Sequence, residues 1–174
     1  IFPERLLSWF RGWLRPKYSN QPLKGALEEV FGCQTIGDSK NRLVIPAYNV
    51  QRREVKLFKT RHHERLKKDY RMKAVEAALA SSAAPTYLPA VNSEDFIEFV
   101  DGGVWANNPA LVGVVEALTL LERNPAEIEV LSIGTTRERH RMKNLPRFAG
   151  KVGWALQQAD LFVGAQMAGY NGMA

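Results

Sequence analysis

The sequence contains one cysteine, Cys33, and no CxxC or paired Cys/His spacing. A single thiol cannot close an intrachain disulfide, and the missing ligand pairs exclude a zinc framework, so a reducing compartment is permitted and the cytoplasm is the expected location. Also lacking is any apolar run near the roughly 20 residues that cross a bilayer, because Lys, Arg, Glu or Gln interrupts every hydrophobic stretch. No P-loop or dinucleotide-type glycine motif occurs, and His63-Glu64 begins like HExxH but has Lys67 where the second histidine must stand. Neither a metal nor any other cofactor is therefore expected. The chain opens on Ile1-Phe2-Pro3 without an initiating Met or a basic-then-apolar leader, and so reads as the interior of a protein. With no repeat, low-complexity tract or interdomain linker, residues 1–174 are expected to be one domain, present as a fragment.

What is there suits a globular core: 174 residues, 45% hydrophobic and 24% charged. A formal charge of +6 and a pI of about 9.6 favour anionic partners, either nucleic acid or a bilayer surface. The aromatic and basic interleaving of a nucleic-acid module is absent, which leaves peripheral contact with a membrane as the relevant expectation. Cations cluster at Lys59, Arg61, Arg65, Lys67, Lys68, Arg71 and Lys73, a run that also suits a solvated loop and helix face.

Periodicity organises the chain. Residues 4–14, with Leu6, Leu7, Trp9, Phe10, Trp13 and Leu14 among arginines, suit an amphipathic helix ending before Pro16. A helical pattern after Pro22 (Leu23, Ala26, Leu27, Val30, Phe31) stops at Gly32. Residues 43–50 and 54–59 read as strands of a hairpin about a polar turn at 51–53. An Ala-rich helix is predicted over 70–83, stopped by Pro85, and a strand over 96–100. Asn108 is a plausible N-cap with Pro109 at the first helical position, and Leu111, Val115 and Leu118 mark one face of the helix that follows. A strand at 128–133, a polar loop at 136–146 and a helix over 154–167 complete the order of a layered α/β fold.

The strand at 96–100 runs directly into Asp101-Gly102-Gly103. Catalytic groups of α/β sheets gather beyond the carboxyl ends of strands, where Asp101 stands. The two glycines allow a sharp turn and leave space beside the carboxylate. Asp-Gly alone is an ordinary turn signal. Combination shifts the balance: Asp101-Gly102-Gly103 is followed after four residues by Asn107-Asn108-Pro109, and preceded by Ala80-Ser81-Ser82-Ala83-Ala84-Pro85-Thr86-Tyr87.

This ordered set resembles the patatin-like phospholipase family over about residues 43–135. The resemblance implies an α/β hydrolase-type layered sheet flanked by helices, incomplete at its N-terminus. It further implies that Asp101 partners a serine from a GxSxG turn, with Gly102, Gly103, Asn107, Asn108 and Pro109 as supporting motif residues. No GxSxG is found; Gly37-Asp38-Ser39-Lys40-Asn41 fails at its last position. In the family that turn and the glycine-rich oxyanion loop lie N-terminal to the region matched here, so truncation is the economical explanation.

The implied activity is hydrolysis of phospholipid or other acyl-lipid esters through a covalent serine ester, with the chain alone expected to be inactive. Ser81 and Ser82 lie in the Ala-rich helix without the strained turn that exposes a nucleophile. His140 follows Asp101 in the order of a conventional triad, but its neighbours Arg137, Arg139 and Arg141 suit an exposed loop. An alternative of another class stays open: a noncatalytic basic lipid-surface or protein-binding module that keeps the fold.

Overall fold

In the computed structural model, residues 16–92, 97–134 and 166 are described. The predicted helices at 4–14 and 154–167, apart from Gln166, and the loop at 136–146 lie outside them, as does His140. The chain divides into two compact units, Ile1–Trp105 and Ala106–Ala174.

Among the described residues of the first unit, the first helix is α1 (Gln21–Phe31), with Pro22 in its first turn. Gly32 closes it at φ 52°, donating its amide to Glu28 O at 2.9 Å. A 3-10 turn (Ile36–Asp38) follows, held by Asp38, whose carboxylate accepts from the Thr35 amide at 2.7 Å and hydroxyl at 2.9 Å. Those donors hold the Asp38 carboxyl below its ordinary pKa. The near-miss Gly37–Asn41 segment therefore forms a capped turn, not a strand-to-helix elbow.

The predicted hairpin forms as β1 (Val44–Asn49) and β2 (Glu54–Lys59), in register from Val44 opposite Lys59 to Asn49 opposite Glu54. With β3 (Val91–Asn92) and β4 (Glu98–Asp101) they make a four-stranded sheet in the order β2-β1-β4-β3. Every described pairing is antiparallel. Short connections explain it for β1 with β2 and for β3 with β4: neither leaves the dozen or more residues a parallel crossover needs.

Helix α2 (Ala74–Ser82) lies on one face of this sheet. It starts four residues later than the periodicity predicts, because Asp69–Arg71 forms a 3-10 turn and Lys73 bridges to Thr35. Its alanines let helix and sheet approach closely, and Ala77 and Ala80 join Ile36, Ala47, Phe58 and Phe99 in the core. The Phe58 and Phe99 rings meet edge to face, 5.2 Å between centroids.

Helix α3 (Gly103–Ala106) follows β4. In the second unit, helix α4 (Ala110–Thr119) buries Glu116 while Leu111, Val115 and Leu118 are exposed. After a 3-10 turn (Pro125–Glu127) capped by Asn124, residues 128–134 form no strand, correcting the prediction there. An α/β architecture stands, of antiparallel sheet with flanking helices. No described helix is long and apolar enough to cross a membrane.

Candidate active site

β4 is an interior strand, hydrogen-bonded to β1 on one side and β3 on the other, and it ends at Asp101. Its last pair with β1 is Asp101 opposite Ala47, so continued register would set Gly102 against Pro46. Proline has no amide to extend a ladder, and the chain turns away there. The approach is tight: a Cβ on Gly102 would lie 2.8 Å from Pro46 Cβ and nearer still to the Pro46 carbonyl. Glycine is required for packing against β1, a reason distinct from turn flexibility.

The turn is fixed from a second side by the end of α2. Asp101 N donates to Ala83 O at 3.0 Å and Gly102 N to Ser81 O at 3.3 Å. Trp105 fixes the far side, its indole Nε1 donating at 2.8 Å to the carbonyl of Ala47, the residue opposite Asp101. The Ala/Ser-rich helix end and the aspartate motif, separate in sequence, thus meet through backbone hydrogen bonds.

The Asp101 carboxylate is half-buried, and Gly103 N donates to its Oδ1 at 2.6 Å. Burial pushes its pKa above the ordinary carboxylate value, and the Gly103 amide partly opposes that rise. Raised basicity matches a group that must take a proton from a weak acid.

The structure brings Asp101, Gly102 and Gly103 together in this turn. Asn107, Asn108 and Pro109 open the second unit, where Asn108 Oδ1 accepts from Ala110 N at 3.0 Å. Pro109 stands just ahead of the first helical residue, one position earlier than predicted. Ser82 is engaged by its own helix, its hydroxyl donating to Ala78 O at 2.7 Å. His63 Nδ1 accepts from Arg65 N at 3.1 Å within a local turn. No cluster of three His, Cys, Asp or Glu side chains suited to a metal occurs among the described residues. Sequence reasoning missed Pro46 and Trp105. A proline inside an interior strand was the available signal for the first; the second depends on a partner 58 residues away.

The family model Patatin: Patatin-like phospholipase matches residues 3–114. The chain is 38% identical to a cGAMP-activated phospholipase of Pseudomonas aeruginosa over 175 residues, covering 98% of this chain and 51% of the relative. It is 34% identical to a cGAMP-activated phospholipase of Vibrio cholerae, covering 88% of this chain and 47% of that protein. Patatin-like protein 4 of Arabidopsis thaliana is 30% identical over 105 residues, 58% of this chain and 26% of the relative. The chain spans about half the length of the bacterial relatives it matches. With the aspartate turn in place and this extent of similarity, the chain belongs to the patatin-like phospholipase family.

Proposed function

We propose that the whole protein hydrolyses acyl esters of phospholipids or related lipids through a serine and aspartate dyad in which Asp101 is the base. The observation that carries this reading is the half-buried carboxylate at the end of an interior strand, held by the Gly103 amide at 2.6 Å and with its pKa raised by burial. Asp101 takes the serine Oγ proton as the hydroxyl attacks the ester carbonyl carbon, and backbone N–H groups stabilise the tetrahedral oxyanion. Collapse of that intermediate breaks the ester C–O bond, and the departing alcohol takes the proton from Asp101. Water then attacks the acyl-serine with the same carboxylate as base, releasing the fatty acid and restoring the serine.

The 174-residue chain holds the aspartate and no GxSxG, so by itself it is inactive in this reading. The Pseudomonas aeruginosa and Vibrio cholerae relatives are named for activation by cGAMP, and we extend to this protein regulation by a cyclic dinucleotide. The reading also places the protein in the cytoplasm, in peripheral contact with membranes.

Asp101→Asn in the whole protein, with folding verified, is expected to lower phospholipid hydrolysis roughly 10³- to 10⁴-fold. Equal rates for both proteins sink the dyad. Inactivity of both, with and without cyclic dinucleotide, favours the noncatalytic module. Since the reactive form of Asp101 is ionised, kcat/KM rises with pH through a pKa above the ordinary carboxylate value.

A further inference from the structure

A second feature stands beside the aspartate turn. Ala83, whose carbonyl accepts from Asp101 N, leads into a turn in which Tyr87 N donates to Ala84 O at 3.1 Å. Within that turn Thr86 has φ 72°, a conformation that a β-branched residue rarely adopts. Two backbone bonds from the preceding segment hold it there: Lys17 N donates to Thr86 O at 2.9 Å, and Tyr18 N to Tyr87 O at 2.8 Å. The result aligns three side chains. The Tyr18 and Tyr87 rings stack, 6.4 Å between centroids and 19° apart, and Lys17 Nζ lies 5.1 Å from one ring centre and 5.6 Å from the other.

Stacked aromatics normally bury. Here Tyr18 is 55% and Tyr87 50% exposed, and Lys17 is exposed beside them. Strain held by hydrogen bonds to present two aromatic rings and a cation to solvent has no account in core packing. Tyrosine suits the boundary between water and acyl chains, where its ring enters the apolar layer and its hydroxyl stays hydrated. A lysine beside it supplies the charge that attracts phosphate headgroups.

We propose that Lys17, Tyr18 and Tyr87 form an interfacial seat that docks this end of the sheet on an anionic phospholipid surface, beside Asp101. The proposal rests on the lipid-hydrolase reading for its purpose, and on the Ala83 and Asp101 hydrogen bond for its place. Two surface tyrosines enter the headgroup layer, Lys17 meets a phosphate, and the short turn from Ala83 to Tyr87 brings the lipid near the carboxylate. The exposed cations between Arg61 and Lys73 supply a general attraction that lacks this aromatic pairing of two rings.

The test is co-sedimentation of the full chain with phosphatidylcholine vesicles, with and without phosphatidylglycerol, at near-physiological salt. Binding to the anionic vesicles is expected. Tyr18→Ser with Tyr87→Ser should lower partitioning on the order of tenfold, and Lys17→Ala about fivefold, with circular dichroism unchanged. Lys67→Ala, removing an exposed cation from the basic run, should change it less than twofold. No binding by the wild type overturns the proposal, as does wild-type binding by the tyrosine variant. A loss for Lys67→Ala equal to that for Lys17→Ala also overturns it, in favour of diffuse charge attraction. Asp101→Asn should bind vesicles like the wild type, so failure of the dyad reading and failure of the seat give different results.

Discussion

Two segments of this chain are nearly the same text. Ile97-Glu98-Phe99-Val100 and Ile128-Glu129-Val130-Leu131 share an apolar, acidic, apolar, apolar pattern with the residue types that favour strands. The first carries β4, paired on both edges, with Phe99 only 6% exposed. The second forms no strand, and Leu131 is 84% exposed. Local preference does not separate them. What separates them is a partner: β4 lies between β1 and β3 and meets Phe58, whereas residues 128–134 pair with nothing among the described residues. A strand is a property of a neighbourhood, and pattern supplies one side of it.

Substitutions can break the contrast. Phe99→Ala removes the ring that meets Phe58 edge to face and is expected to cost about 4 kcal/mol, read as a lower urea midpoint with unchanged slope. Gly102→Ala forces a methyl against the Pro46 carbonyl and should cost roughly 3 kcal/mol; a thermal midpoint equal to the wild type would refute the packing requirement. Trp105→Phe keeps the aromatic bulk but strips a donor from Ala47 O, with an expected loss of about 1 kcal/mol in denaturant unfolding. Leu131→Ser should fall within about 0.5 kcal/mol of the wild type in the same measurement. A large loss there would show that residues 128–133 acquire a partner in solution.

A subtler contrast is electrostatic. The folded state raises the Asp101 pKa, so it binds more protons than the unfolded chain. The stabilisation is full below the unfolded pKa and is lost as pH rises through the folded value. Asp101→Asn lacks that loss, and its stability relative to wild type should increase between the ordinary carboxylate range and neutral pH. Paired melts across that range measure it.

Much of the first unit was legible in the sequence. The polar turn at 51–53 between two strand-like runs announced the hairpin, Gly32 the end of a helix, and the run before Asp101 a strand ending at that carboxylate. Strand direction was less accessible, because it depends on which edges meet. So was the reason for Gly102, which became visible only once register set it against Pro46. In α4 the spacing of Leu111, Val115 and Leu118 was legible as a face, but whether a face is covered depends on neighbours, and here Glu116 is the buried residue. Asn108 was recognised as a cap from its residue type, and its side chain does accept from Ala110, one position off the predicted frame.

The aspartate turn also bears on how the polypeptide ages. Asp-Gly bonds are weak points for spontaneous damage, because the glycine nitrogen can attack the side-chain carboxyl carbon, close a succinimide and reopen as isoaspartate. Here that nitrogen is engaged with Ser81 O, the preceding amide with Ala83 O, and Pro46 walls the glycine against rotation. The contacts that hold the carboxylate in place therefore slow its conversion to an isomer whose carboxylate would sit on a lengthened backbone, giving this bond a longer chemical lifetime than its sequence alone suggests.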